Sequence, residues 1–517
     1  MTQPYTPLNP PQKALSGQDK HSFGYSTLST RLPVIVSKIV DDVYRSYHSL
    51  SDSDPFKKEK EQEAKKIIEL IGGLRYELQR DKPFRPLTDK REDVEEWNQA
   101  LATYYPTSSW YKASWLFSEC YLYRRIKEAF ALTEHWKDYD PFFQQKRTVF
   151  KSSQKAVVSM AVQLTTPVVP GTKLSVLDLK VQEGPDSKGT RDAFFEMVQV
   201  SLWGNATDLS LLDNPDLEKV EELQKRMLSS STSSNASSAN ASPAASTVHL
   251  DQLGVVKNPE EHASELEKHA DKILSNDSEL LWSKVKSLRN GRVDIILDNA
   301  GFELYVDFVI ADYLIRAGFA SEIVFHAKRI PWFVSDVMPA DFQWTLDQLH
   351  HPQPSSSDSS SSSPYFFNPS DPIEQQALLA LGQKWQSYVD KGTWKIVSHE
   401  FWTSCYSFYH LPTHPSTQDL FESMRQSDLW IFKGDLNYRK LVYDCKWPTT
   451  TPFTEAIGPL GQGEKNEKAE GVPTLVSFRT CKADVVVGLA EGVEAKMDQI
   501  EPNWMVNGEY AVISVSP

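Results

Sequence analysis

Three oxygen-bearing side chains, Asp298, Asn299 and Asp336, fall where the residue pattern ends strands. Asp298-Asn299-Ala300-Gly301 follows a short β-branched run, Val293 to Leu297. It precedes an apolar stripe of Phe302, Val306, Val309, Ile310 and Tyr313 at three- and four-residue spacing. This is the pattern of a strand, a tight turn and a helix, with Gly318 placed to stop the helix. Ligands of open α/β sheets gather at the carboxyl ends of strands, so Asp298 and Asn299 are candidate site residues, and Asp336 lies in a loop soon after a second strand, Glu322 to His326. Carboxylate and amide oxygens suit a hard divalent ion such as Mg²⁺ or Mn²⁺, with open positions left for water and substrate. A turn whose side chains merely cap the following helix explains Asp298 and Asn299 equally well.

Two further strand-like runs, Asp428 to Gly434 and Thr474 to Phe478, lead into Asp435-Leu436-Asn437-Tyr438-Arg439 and Arg479-Thr480-Cys481-Lys482. These junctions put Arg439, Lys440, Arg479 and Lys482 at the mouth where the acids sit. In a chain of net charge −14 such a concentration reads as an anion pocket, with ion pairing to nearby acids as the plainer alternative. Arg grips phosphate through two parallel hydrogen bonds and Lys acts as a point charge. A metal ion beside bases suggests phosphoryl chemistry, in which a metal-polarised water attacks phosphorus. Glu303 and Asp307 share one helix face; Glu303 is a candidate base, or simply an acid complementing the helix dipole. His326, His399, His410 and His414 lack HExxH spacing and read as packed or surface imidazoles. There is no GxxxxGK[ST], no Asp-x-Asp pair at a strand end and no GxGxG turn, which disfavours a P-loop, a haloacid-dehalogenase-like nucleophile and a Rossmann dinucleotide site.

The elements that must position these residues divide the 517-residue chain in two. Residues 1–190 read as a mainly helical N-terminal domain, with helices from about Ser29, at Lys57 to Gln79, at Val94 to Tyr105 and through the aromatic run Ser114 to Ile126. Residues 191–517 read as an α/β catalytic domain, in which Ala483 to Leu489 and Glu509 to Val515 are closing strands. Ser201 to Ser210 is expected to interrupt the helices with a Gly-Asn turn carrying Asn205 and Asp208. The Ser-rich tracts 229–247 and 355–363 bury too little apolar surface to fold and read as disordered insertions. The four cysteines, Cys120, Cys405, Cys445 and Cys481, are scattered singly and read as reduced thiols. An acidic chain without a long apolar run or signal sequence is expected to bind neither nucleic acid nor membrane and to work in the cytoplasm, with the nucleus open to it.

Several runs are similar to one family. They are Leu15-Ser-Gly-Gln-Asp19, Arg31-Leu-Pro33, Glu119-Cys-Tyr-Leu-Tyr-Arg-Arg125, Leu202-Trp-Gly-Asn205, Leu297-Asp-Asn-Ala-Gly-Phe-Glu303 and Phe432-Lys-Gly-Asp-Leu-Asn-Tyr-Arg-Lys440. With Arg479-Thr-Cys-Lys482 matching an Arg-Thr-x-Lys signature, they resemble the metal-dependent damage-control phosphatases of the sugar-phosphate subfamily, also called acidic residue methyltransferase 1-like. The resemblance implies a helical N-terminal region packed on a Rossmann-like α/β/α three-layer core with a mostly parallel sheet. It implies hydrolysis of fructose 1-phosphate and fructose 6-phosphate with Mn²⁺, Co²⁺ or Ni²⁺; the oligomeric state is left open by the sequence, with a monomer as the default expectation. By position, Asp298, Asn299 and Asp336 would hold the metal and carry catalysis, while Asp298, Asn299, Asp435, Leu436, Asn437, Tyr438, Arg439 and Lys482 would contact substrate. The subfamily's other name carries an alternative, S-adenosylmethionine-dependent methylation of protein glutamates, against which the missing glycine-rich turn counts.

Overall fold

The computed structural model describes residues 5–166, 175–182, 184–204, 271–350, 366–367, 369, 371–464 and 466–517. Both Ser-rich tracts, Asn205 and Asp208 lie outside the described residues. Seven strands form one sheet: β1 (Ile273–Asn276), β2 (Gly291–Ile296), β3 (Ala320–Ala327), β4 (Trp394–Ser398), β5 (Leu429–Lys433), β6 (Thr474–Thr480) and β7 (Ala511–Ser516). Their order is β1-β7-β6-β5-β2-β3-β4. Strands β2 to β6 run parallel, β7 pairs antiparallel with β6, and β1 pairs parallel with β7. The chain therefore winds outward to β3 and β4 on one side of β2, and to β5 and β6 on the other. The boundary between β2 and β5 is the topological switch point, where the register Ile296↔Phe432 brings their carboxyl ends level.

Successive residues of a strand face opposite sides, and both sides of this sheet are covered. One side chain set, including Ile296, Trp430, Phe432, Leu475 and Val512, meets the segment after β4, with Phe408 against Phe432 and Phe421 against Trp430, and belongs to one core with α1 (Leu32–His48), α2 (Lys57–Gln79), α3 (Val94–Tyr104) and α4 (Trp115–Ala131). The alternate set, including Val293, Ile295, Ile431, Val476 and Ile513, packs mainly against α6 (Gln154–Thr165), α7 (Lys188–Gly204), α8 (Phe302–Arg316), α9 (Pro339–His350) and α10 (Pro372–Asp390). Helix α5 (Phe143–Ser152) straddles the two, contributing Val149 to the first cluster and Phe150 to the second. The expected α/β/α core with a helical N-terminal region is what forms.

Local departures have local causes. The first long helix opens with a π-helical turn, Thr27–Arg31, before α1, in which Pro33 occupies the first turn. Ser201 to Gly204, where the expected interruption begins, continue α7, and the rest of the expected Gly-Asn turn lies outside the described residues. Ala483 to Leu489 is not a strand. The Ala483 and Val485 carbonyls accept hydrogen bonds from the Arg479 guanidinium instead of pairing in a ladder. The run directly after β5 is itself helical, α11 (Gly434–Leu441).

Candidate active site

The β2–α8 turn is held to the loop after β3 through its backbone. Ala300 N–H donates to the Ser335 carbonyl at 2.7 Å, Val337 N–H donates to the Asp298 carbonyl at 2.8 Å, and Asn299 and Asp336 form an isolated antiparallel bridge. These bonds bring Asp336 to Asp298 across 37 intervening residues. Gly301, at φ 80°, turns the chain into α8. The Asn299 amide is fixed at both ends: its Nδ2 donates to Asp298 Oδ2 at 2.8 Å and to Glu303 Oε2 at 2.7 Å, and its Oδ1 accepts from Ser335 Oγ at 2.6 Å. Glu303, buried on the first turn of α8, thus acts on Asn299 and is placed to orient it.

Across the switch point, Gly434 follows β5 at φ 82°, and a Cβ there would lie 1.8 Å from Asp298 Oδ2. Glycine alone leaves room for that carboxylate. Asp435 Oδ1 accepts from Arg479 Nε at 2.8 Å and from the Lys482 backbone N–H at 3.2 Å. A small cavity results, lined from the sheet side by Asp298, Asp336, Asp435, Leu436, Arg439 and Lys482. Its other wall is Arg31, Trp115, Glu119 and Phe333. Four carboxylates against three cationic side chains leave an acidic balance, which one divalent cation would reverse in favour of a phosphate.

Arg439 is the most constrained of the bases. It donates from Nε to Asp444 Oδ1 at 2.8 Å, from Nη2 to Asp444 Oδ2 at 3.1 Å and from Nη1 to Glu119 Oε2 at 2.7 Å, and it stacks 3.8 Å over the Trp115 ring. Two of its five N–H groups remain after these three bonds. Burial pushes the Glu119 carboxyl up, against the pull of Arg439. Not every predicted residue reaches the cavity. Asn437 donates to the Leu297 and Lys433 carbonyls, and the Tyr438 hydroxyl accepts from Val487 N–H while its ring lies under Arg479; neither lines the cavity. Lys440 turns away to the Ser404 carbonyl at 2.8 Å, and burial lowers its ammonium. Arg479 is fully buried behind Asp435, so of the four bases expected at the mouth, Arg439 and Lys482 line it.

Other residues were not singled out by the residue pattern. Lys328, just past β3, reaches Asp336 Oδ2 at 3.4 Å and the Leu297 carbonyl at 3.2 Å. Lys433 is buried among Asp307 Oδ1 at 2.7 Å, Glu303 Oε1 at 3.5 Å and Ser201 Oγ at 2.7 Å, tying α7 to α8 just after the β2–α8 turn. Burial raises the Asp307 carboxyl to about 7, even against Lys433.

The model of the damage-control phosphatase ARMT1-like domain matches residues 27–252 and 248–497. The chain belongs to the ARMT1-like damage-control phosphatase family. A damage-control phosphatase ARMT1 of Danio rerio is 34% identical over 98% of this chain and 97% of its own length. The Xenopus tropicalis protein of that name is 34% identical over 98% and 99%, and the Homo sapiens one 31% over 96% and 97%. A DUF89 family structure from Pyrococcus horikoshii aligns at 13% identity and a TM-score of 0.37, over 95% of this chain and 98% of that one, too loosely to carry any part of the argument.

The fit of a damage-control phosphatase's metal rests on the donor set here. Among the described residues no cluster of three His, Cys, Asp or Glu side chains is gathered to hold an ion. The oxygen pair of Asp298 and Asp336 does face one cavity, and the carbonyl oxygen of Asn299 keeps a second lone pair beside its bond from Ser335. The close approach that Gly434 permits, at the end of the neighbouring strand, suits a carboxylate held at a fixed point. An ion bound by the two carboxylates and completed by water is compatible with these side chains, whereas Asn299 does not line the cavity and is held by Ser335, Asp298 and Glu303.

Proposed function

We propose that the chain is a metal-dependent phosphatase that hydrolyses sugar monophosphates such as fructose 1-phosphate and fructose 6-phosphate. The observation that supports it most is the single cavity at the switch point in which Asp298 and Asp336 face Arg439 and Lys482. On this reading Asp298 and Asp336 hold Mn²⁺, Co²⁺ or Ni²⁺, with Mg²⁺ a further candidate. When bound, the ion supplies a Lewis acid that polarises a phosphoryl oxygen and the attacking water.

The remaining chemistry belongs to the chain. Lys482 neutralises charge on the phosphoryl oxygens, and the two unspent N–H groups of Arg439 donate to them. The N–H groups at the start of α8 add to that pull. Asp435 and Leu436 close the wall, while Asn437 and Tyr438 contribute through the backbone they anchor. Glu303 holds Asn299 in the orientation that keeps the Asp298 carboxylate fixed. Methyl transfer is the weaker reading, since the β2–α8 turn carries Asp298 and Asn299 where an adenosylmethionine turn carries glycines. No described helix is long and apolar enough to cross a membrane, and we take a small phosphate ester in the cytoplasm to be the partner.

Phosphate release from a panel of esters against a panel of divalent ions tests the proposal. Fructose 1-phosphate with Mn²⁺ or Co²⁺ is expected to lead, and a panel without any ion-stimulated release would count against it.

A further inference from the structure

The cavity at the switch point measures about 20 Å³, room for roughly one water or ion. An ion fits it as it stands, and a phosphoryl group enters only by displacing a side chain. Of the four carboxylates around it, three stand on the sheet side and have partners there: Asp298 takes a bond from the Asn299 amide, Asp336 faces Lys328, and Asp435 is held by Arg479 and the Lys482 backbone N–H. Glu119 comes from the opposite wall, on α4, and its Oε2 accepts from Arg439 Nη1 at 2.7 Å. A carboxylate thus holds one N–H of a guanidinium that lines the cavity. Carboxylate and phosphate oxygens are equivalent acceptors for arginine, so the two compete for that N–H.

A second cation stands on the same wall as Glu119. The Arg31 charge acts on the Glu119 carboxyl alongside that of Arg439. Arg31 lies on the π-helical turn and lines the cavity, and its buried Nε has no hydrogen-bond partner among the described residues. A buried donor is seldom left unmade, and π-turns gather at functional sites. By turning to Arg31, the carboxylate would leave Arg439 without becoming an uncompensated buried charge. Arg439 itself stays anchored through its paired bonds to Asp444 and its stack on Trp115 while the one N–H changes partner.

We propose that Glu119 is an internal anion that occupies Arg439 until phosphate arrives and then moves to Arg31. This rests on the reading of Arg439 as a phosphate-binding residue and adds a displaceable, autoinhibitory contact to it. A fixed ion pair that merely steadies Arg439 would respond in the opposite sense to loss of the Glu119 charge. Calorimetric titration of the full chain with inorganic phosphate tests this in four proteins: wild type, Glu119→Gln, Arg31→Met and the double variant. Glu119→Gln keeps the size of the side chain and removes its charge, and it is expected to bind phosphate fivefold or more tighter, a gain that damage to the fold does not produce. Arg31→Met removes the receiving cation and is expected to weaken binding fivefold or more in the wild-type background and less than twofold in the Glu119→Gln background, where no carboxylate has to be received. Unchanged or weaker binding by Glu119→Gln, or an equal loss from Arg31→Met in both backgrounds, overturns the inference and leaves the phosphatase reading standing. Absence of phosphate binding in all four proteins removes Arg439 as a phosphate-binding residue, and the inference falls with it.

Discussion

Replacing Gly434 with alanine isolates the closest contact in the site. The new Cβ would meet Asp298 Oδ2 at 1.8 Å, Cγ at 2.2 Å and Cβ at 2.8 Å, so one of the two strand ends must yield by about 1.2 Å to restore 3.0 Å. Two costs arise. An L-residue at φ 82° costs about 1–2 kcal/mol, and turning Asp298 off its rotamer costs roughly 0.5–1.5 kcal/mol more. A misplacement near 1 Å in a catalytic constellation is worth about 100-fold in rate. Gly392→Ala serves as the control, because Gly392 also has positive φ, 72°, but its nearest neighbour would be Lys395 Cε at 4.0 Å. Both variants are expected to melt a few degrees low, while phosphate release falls about 100-fold in Gly434→Ala and stays within twofold in Gly392→Ala. Full activity in Gly434→Ala, with the protein folded, would refute the claim that Asp298 works where this glycine lets it stand.

Asp336→Asn is expected to raise the Mn²⁺ concentration for half-maximal activity tenfold or more, measured by ion titration; an unchanged midpoint removes Asp336 from the metal set. Arg124 is buried in paired bonds of 2.7–3.1 Å to Asp89 and Asp93, so Arg124→Met strands two carboxylates and is expected to cost about 3–5 kcal/mol in thermal or urea unfolding. Burial lowers His410 from 6.5 to about 4, so between those values the unfolded chain binds more protons and stability falls as pH falls. The wild-type protein is therefore expected to lose about 2 kcal/mol more than His410→Gln between pH 7.5 and pH 5 by urea unfolding, and parallel pH curves would contradict this.

Much of this was legible in residue spacing. The alternation of β2 with the stripe of α8 places Asp298 and Asn299 at a strand end, and Lys57–Gln79 forms the helix its pattern predicts. The bases were harder, since spacing along a chain does not say which way a side chain turns. Lys440 is next to Arg439 in sequence, yet the helical twist of α11 sends it to Ser404. Arg479 lies inside β6, so it props Asp435 from behind. Strands β1 and β4 are short edge strands with half-polar burial, and they leave little signal. Arg31, Trp115 and Glu119 reach the cavity only because α1 and α4 pack over the switch point; no periodicity within their helices points there, although Arg31 and Glu119 sit in runs that carry the family resemblance.

The most direct test of the whole account is phosphate release from fructose 1-phosphate by the purified wild-type protein and by Asp298→Ala, each with Mn²⁺ and each in excess EDTA. The account predicts turnover in the first case alone. Comparable turnover by Asp298→Ala, or by the wild-type protein in EDTA, would contradict it.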